Sequence, residues 1–119
     1  MKTLYTQRQL EIANQLVDVM DSKFFKSMGE PVRVEIIRFL LLNGRADIGT
    51  IADNMPQDRS VISRHLTLMQ DVGILNCEKE NRHRFYTLNA GVFLERFMNI
   101  TDLVKTCVKE CGPLCCGSK

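Results

Sequence analysis

The stretch from residue 58 to residue 73 reads DRSVISRHLTLMQDVG. Apolar residues recur in it at the spacing of one helical face. These residues are Val61, Ile62, Leu66 and Met69. Asp58 suits the N-cap position, and Gly73 is the residue type that commonly ends a helix. The stretch therefore predicts an amphipathic helix over 59–72 with a polar outer side at its N-terminal end.

Apolar spacing and capping residues predict four helices before this one. The first covers 7–20, a short second helix ends at Gly29, the third begins at Pro31 and ends at Asn43-Gly44, and the fourth covers about 48–54. The first helix is amphipathic, with an apolar stripe of Leu10, Ala13, Val17 and Met20. The buried face expected on the third helix is Val34, Ile37, Leu40 and Leu41. The fourth helix and the helix over 59–72 then form a helix-turn-helix.

Two strand-like runs follow, 74–79 and 84–88, with a polar turn between them. Asn89 can cap a last helix over about 90–111, and Gly112-Pro113 is expected to end it. A two-stranded hairpin directly after the second helix of a helix-turn-helix defines a winged helix. The predicted fold is therefore mainly α with a small β-hairpin. Such a fold places its recognition helix in the major groove of DNA.

Polar residues at the start of the predicted recognition helix are candidates for DNA contact, because this end reaches base edges in helix-turn-helix docking. Arginine can make two hydrogen bonds to guanine, while serine and glutamine reach bases or phosphates. The candidates are Gln57, Arg59, Ser60, Ser63, Arg64 and His65. A solvated helix face would have a similar composition, and His65 could equally pack at the helix edge.

The predicted hairpin turn concentrates positive charge in Lys79, Arg82, His83 and Arg84. The whole chain of 119 residues has 16 Lys and Arg against 14 Asp and Glu, a formal net charge of +2. This balance excludes a strongly basic, histone-like binder but not a locally basic DNA-binding face. A basic wing therefore predicts salt-sensitive contacts with the DNA backbone.

Length and motif content exclude several other classes. The chain suits one domain, and it contains no nucleophile–base arrangement, phosphate loop or convergent carboxylates, so we do not expect an enzyme. Its longest uncharged apolar run, Phe39–Leu42, is too short to cross a membrane, and the first 16 residues resemble no export signal. We expect a cytoplasmic protein with no membrane partner.

Five cysteines form an uneven pattern, with Cys77 alone and four thiols near the C-terminus. The four are Cys107, Cys111, Cys115 and Cys116. An odd count without an export signal favours reduced thiols, and clustered thiols favour a soft metal, a metalloid or redox chemistry. Cys107 and Cys111 continue a helical seam, so they could instead be small apolar fillers. The preceding seam residues are Phe93, Phe97, Ile100 and Val104.

Several of these segments resemble the ArsR/SmtB family of metal-responsive winged-helix repressors. They are the helix start Pro31-Val32-Arg33, the segment Ser63-Arg64-His65-Leu66 and the wing at 79–88. The resemblance covers about 22–90. It implies a homodimer formed by the first and last helices that binds an inverted-repeat DNA operator and leaves it when an effector binds. It also implies that Arg33 lies near the DNA backbone or braces its helix.

The chain departs from two sensor subtypes of that family. The stretch 45–51 lacks the Cys-x-Cys pair of many arsenic sensors, and the last helix lacks the Asp/His and His/Glu pairs of zinc sensors. The four C-terminal cysteines are then the candidate ligands. Three thiolates suit As(III) or Sb(III), as the resemblance suggests, and four suit Zn(II) or Cd(II).

We expect a trivalent metalloid effector, with Cd, Pb, Hg or Zn and a redox- or persulfide-sensing repressor as alternatives. A winged helix that binds protein rather than DNA is a further alternative, which the basic wing disfavours. We divide the chain into a winged-helix domain with dimerising terminal helices over 1–111 and a Cys-rich tail over 112–119. Cys77 is expected to be structural.

Overall fold

A computed structural model describes residues 5–116 of the chain, with side chains described for 5–110. The described residues form six helices and three strands. In chain order these are α1 (Gln7–Met20), α2 (Lys23–Ser27), α3 (Pro31–Asn43), β1 (Ala46–Asp47), α4 (Ile48–Asp53), α5 (Arg59–Asp71), β2 (Leu75–Glu80), β3 (His83–Leu88) and α6 (Ala90–Cys116). This order confirms the predicted winged helix-turn-helix.

The residues group into two compact units. One unit is Lys23–Phe93, which contains the helix-turn-helix and the sheet. The other combines the chain before Lys23 with the chain after Phe93, so it holds α1 and most of α6. All candidate DNA-contacting residues belong to the first unit.

The wing contains a third strand that sequence reasoning missed. β2 and β3 pair antiparallel, and β1 adds to the other edge of β3, giving the order β1-β3-β2. β1 has two residues, Ala46 and Asp47, which lie opposite Tyr86 and Phe85. A two-residue strand is too short to show an alternating pattern, which explains the omission.

The core of the first unit lies where the helix-turn-helix meets the sheet. Its buried members are Phe24, Ile36, Leu40, Ala46, Ile51, Ile62, Leu66, Met69, Ile74, Leu75 and Tyr86. Ile62, Leu66 and Met69 of α5 are inaccessible to solvent, as predicted, whereas Val61, the fourth residue predicted to face inward, is only half-buried. Because this face of α5 is buried, the opposite face of the helix points to solvent.

Helix ends follow the sequence signals closely. The carboxylate of Asp47 accepts a hydrogen bond from the Thr50 amide at 2.9 Å and caps α4, and Asn89 caps α6 through the Val92 amide at 3.2 Å. Gly73 has φ of 89° just after α5, in the left-handed region that glycine adopts without a steric penalty. Asp58 occupies the N-cap position of α5, but it makes no capping hydrogen bond to a residue that the structure describes.

Two details of the predicted helices are wrong. The buried residues of α3 are Ile36 and Leu40, whereas Val34 and Leu41 are exposed, Leu41 by 71%. α3 is apolar on most sides, so its spacing did not identify one inner face. α6 continues to Cys116 rather than ending at Gly112-Pro113. Proline removes one backbone donor from a helix, and this loss kinks many helices without ending them.

The unit that contains α1 and most of α6 exposes many apolar side chains. Ile12 is its buried residue on α1, and the Gln9 side-chain amide donates to the Glu110 carbonyl at 3.4 Å. The exposed apolar side chains described for this unit include Val17, Met20, Leu94, Phe97, Met98 and Val104. No helix within the described residues is both long enough and apolar enough to cross a membrane.

Candidate nucleic-acid interface

The outer face of α5 carries polar residues at its N-terminal end. Arg59, Ser60 and Arg64 are exposed and Ser63 is half-buried, while Ile62 and Leu66 are held in the core between them. This arrangement anchors the helix on one side and presents two arginines and two hydroxyls on the other. Such a face has the donors that base edges and phosphates require.

Arg59 and Gln57 occupy different surroundings from Arg64. A Cβ placed on Gly49 would lie 3.8 Å from the Arg59 guanidinium, so the Arg59 side chain lies over the start of α4. Gln57 lines a groove of about 280 Å³ between α3 and the turn after α4. Its side-chain oxygen is buried and has no hydrogen-bond partner among the described residues. The structure therefore places Gln57 in a groove beside α3 rather than on the outer face of α5.

Arg33 and His65 form a direct contact that joins α3 to α5. Arg33 Nε donates to His65 Nδ1 at 3.2 Å, and Arg33 Nη1 donates to the Ser27 carbonyl at 3.4 Å. Glu30 caps α3 by accepting from the Arg33 amide, and its carboxylate lies 3.8 Å from His65 Nδ1. Arg33 thus braces α3 against the recognition helix, one of the two roles that the resemblance implied.

The hairpin turn presents all the predicted basic wing residues to solvent. Lys79, Arg82, His83 and Arg84 are exposed. Lys79 lies opposite Arg84 across the strands, and Asn81 adopts φ of 57° in the turn, a conformation that asparagine tolerates. The wing therefore brings four basic side chains together around the hairpin turn, as the sequence predicted.

An ion pair and a histidine–carboxylate contact hold the turn end of the wing. Arg45 Nη2 lies 2.8 Å from Glu80 Oε1, and the Arg45 guanidinium lies 3.9 Å from the centre of the Phe85 ring. His83 Nδ1 lies 3.8 Å from Asp47 Oδ2. Hydrogen bonding from Thr50 holds the pKa of Asp47 below its usual value, and the charge of His83 acts in the same direction. These contacts join the wing to β1 and to the start of α4.

Comparisons with known proteins agree with this architecture. The chain is 32% identical over 65 residues to an uncharacterized HTH-type transcriptional regulator of Methanocaldococcus jannaschii, covering 55% of this chain and 73% of that one. It is 29% identical over 68 residues to a cadmium resistance transcriptional regulatory protein CadC homolog of Staphylococcus aureus, covering 57% and 56%. An ArsR-like transcriptional regulator from Rhodococcus sp. RHA1 has a similar structure, with a TM-score of 0.67 at 18% identity over 92% of this chain and 93% of that one.

The chain belongs to the ArsR/SmtB family of helix-turn-helix transcriptional regulators. No protein-family model matches it. The relatives are regulators of transcription rather than enzymes, which confirms the expectation that this chain is not an enzyme.

The cysteines of this ArsR/SmtB chain are described only in part. Cys77 on β2 is half-buried, packs against the core and lies opposite Tyr86, as expected of a structural thiol. Burial raises the pKa of Tyr86, and the neighbouring Cys77 thiol raises it further. Cys107 is half-buried on α6. The side chains of Cys111, Cys115 and Cys116 lie outside the described residues, and the remaining side chains form no group of three or more metal ligands.

Sequence reasoning missed the residues that hold the interface in place. Arg45, Asp47 and Glu80 tie the wing to the helix-turn-helix, and Glu30 caps the helix that carries Arg33. Acidic residues inside a basic turn were the available signal, since Glu80 interrupts the positive charge there. The partners of Arg45, Asp47 and Glu80 across the wing lie more than 30 residues away, so the sequence alone could not assign these three contacts.

Proposed function

We propose that this ArsR/SmtB regulator is a homodimeric repressor that binds double-stranded operator DNA through α5 and the wing. The observation that carries the proposal is the two-sided α5. Its inner residues are fully buried, and its outer N-terminal end presents Arg59, Ser60, Ser63 and Arg64. The exposed wing residues Lys79, Arg82 and Arg84 supply charge for the DNA backbone.

A homodimer accounts for the apolar surface of α1 and α6. Leu94 and Met98 are exposed by more than 60%, and Val17 and Met20 are exposed to a similar degree. Where exposed apolar side chains of this size form a patch, they commonly mark a protein interaction site. A twofold dimer would present two copies of α5, and such proteins bind two half-sites about one turn of DNA apart.

Selection of duplexes from a random library tests the DNA-binding part. We expect wild-type protein to enrich an inverted repeat with half-site centres separated by about one helical turn or a multiple of it. Enrichment of a single unrepeated site would contradict the twofold arrangement. No enrichment above that of Arg64→Ala/Arg82→Ala, which removes one arginine from α5 and one from the wing, would contradict sequence-specific binding.

For the effector, we propose a thiophilic ion bound by Cys107, Cys111 and one or both of Cys115 and Cys116. Cys107 and Cys111 are four residues apart, a spacing that puts two residues of a helix on the same face. Three thiolates favour As(III) or Sb(III), and the CadC homolog makes Cd(II) the second candidate. Ion binding at α6 would move α6 within the proposed dimer interface. This movement would change the distance between the α5 helices of the two subunits.

Titration of the protein–duplex complex with arsenite, antimonite and Cd(II), without oxidant, tests the effector. Coupling energies of this type are about 1–3 kcal/mol, so the effector should weaken DNA binding roughly 5- to 150-fold. Cys107→Ser/Cys111→Ser should abolish the response, and Cys77→Ser should retain it as the matched control. A full response in the double variant would exclude the C-terminal thiols. A response to peroxide or sulfide without metal would favour the redox alternative.

A further inference from the structure

Two adjoining hollows open beside α5, between this helix and the segment formed by α2 and the start of α3. The first has a volume of about 400 Å³ and includes Arg33, Arg64 and His65 in its lining. The second has a volume of about 310 Å³ and includes Lys23, Lys26 and Arg33. Arg33 and Leu68 line both, so the two hollows meet at these residues.

The two joined hollows form one groove beside α5, and the lining of this groove is strongly basic. Four cationic side chains, Lys23, Lys26, Arg33 and Arg64, line it, and within the described residues no carboxylate does. Glu30 approaches from the start of α3, where it faces His65 and the Arg33 amide. In a chain with a net charge of only +2, four cations on one groove are a local concentration of charge.

Arg33 is held in position at the centre of the groove. Its contacts with His65 and the Ser27 carbonyl use two of the five guanidinium N–H groups. The other N–H groups can donate to an oxyanion without disturbing these contacts. A guanidinium fixed in this way loses little freedom when it binds phosphate.

We propose that this basic groove, which begins beside Arg64, holds the sugar–phosphate backbone of duplex DNA alongside the recognition helix through Arg33, Lys23 and Lys26. Lys23 and Lys26 then contact phosphates that lie beyond those reached by α5 and the wing. The groove begins at Arg64 on the outer face of α5, and its cations are distributed along two joined hollows. This extended distribution favours a polyanion over a single small anion. The proposal rests on the proposed function and extends its DNA interface to α2.

The predicted signature is a loss of affinity that does not depend on DNA sequence, because phosphate contacts carry no direct sequence information. Each phosphate contact removed lowers the slope of log affinity against log salt by about one. Lys23→Gln/Lys26→Gln should therefore weaken binding about tenfold or more at low salt, equally for a selected duplex and a scrambled one. The ratio of the two affinities should remain that of the wild type.

Fluorescence anisotropy over a salt series measures these quantities. Lys23→Arg/Lys26→Arg, which keeps both charges, should bind like the wild type. Arg38→Gln is the matched control. Arg38 is an exposed cation of the same unit, but it lines the separate groove between α3 and the turn after α4. Thermal unfolding of each variant verifies that the fold is retained.

A wild-type affinity and salt slope in Lys23→Gln/Lys26→Gln would overturn the inference. An equal loss in Arg38→Gln would also overturn it, because net charge alone would then explain the effect. If Arg64→Ala loses binding while the lysine variant does not, the inference fails and the proposed function stands. If the wild-type protein binds neither duplex, the proposed function fails as well.

Discussion

Gly44 ends α3 in a backbone conformation that other residues rarely adopt. Its φ is 75° and its ψ is −147°, and a Cβ placed there would meet no atom within 4 Å. The requirement for glycine is therefore conformational rather than a matter of space. Gly44 directs the chain from α3 into Arg45 and β1, so it sets the position from which the wing is held.

Gly44→Ala should destabilise the protein by about 1–3 kcal/mol, the usual cost of a non-glycine residue in this region. Chemical denaturation measures the change. Gly91→Ala is the matched control, because Gly91 lies in the first turn of α6 and has no positive φ. We expect this control to be neutral or slightly stabilising. Equal losses in the two variants would contradict the conformational explanation.

Individual residues of the site were predictable where local pattern decides exposure. Arg59, Ser60, Arg64 and the wing cations are outward because apolar neighbours on the same elements are inward. The Arg33–His65 hydrogen bond was not predictable, since it joins residues 32 positions apart. Gln57 follows α4 in an irregular turn, where no periodicity fixes the direction of its side chain.

At the level of elements, the wing depends on contacts outside the hairpin. An isolated two-stranded hairpin is at best marginally stable in water, and here β1, Arg45 and Asp47 support it. Asp47 serves two elements, since it caps α4 through Thr50 and faces His83 on β3. Its carboxylate is therefore expected to matter most where it is ionised.

The pH dependence of Asp47→Ala tests this role. The folded-state pKa of Asp47 lies below its usual value of 3.8, so its ionised form stabilises the fold above that pH. This contribution is lost as pH falls through the lower folded-state pKa. The wild type should thus unfold at higher denaturant concentration than Asp47→Ala near neutral pH, and the difference should shrink below pH 3.8.

Urea denaturation over a pH series gives both curves. Asp53→Ala provides the control, because Asp53 is an exposed residue at the other end of α4. A difference between wild type and Asp47→Ala that stays constant into the acid range would contradict a role for the ionised carboxylate.

Element order was largely predictable, and the errors have identifiable causes. Caps and glycines marked α4, α5 and the start of α6, whereas β1 was too short to produce a pattern. The inner face of α3 was misassigned because Val34, Leu41 and Leu42 continue its apolar composition onto the exposed side. The end of α6 was misplaced because Gly112-Pro113 does not interrupt the helix.

At the scale of the whole molecule, the exposed apolar side chains of α1 and α6 suit the proposed dimer interface. Phe97 is 43% exposed on α6, and Leu94 and Met98 beside it are more exposed still. The predicted α1 series of Leu10, Ala13, Val17 and Met20 is largely exposed as well, which suits an interface better than a core.

Phe97→Glu should convert the proposed homodimer to a monomer, because it introduces a charge into the apolar interface. Analytical ultracentrifugation measures the mass. Leu41→Glu is the matched control, because Leu41 is an exposed apolar residue of the other unit, on α3. Wild-type protein that sediments as a monomer would contradict the dimer, and dissociation by Leu41→Glu would place the interface elsewhere.

The central claim is that α5 is a recognition helix, and the affinity of a selected duplex for wild type and Arg64→Ala tests it most directly. Loss of a base-contacting arginine costs about 1–3 kcal/mol, so Arg64→Ala should bind roughly 5- to 150-fold more weakly and discriminate less against a scrambled duplex. Arg38→Ala, which removes an equal charge from the other side of α3, should retain both affinity and discrimination. Equal affinity of wild type and Arg64→Ala for the selected duplex would contradict the account.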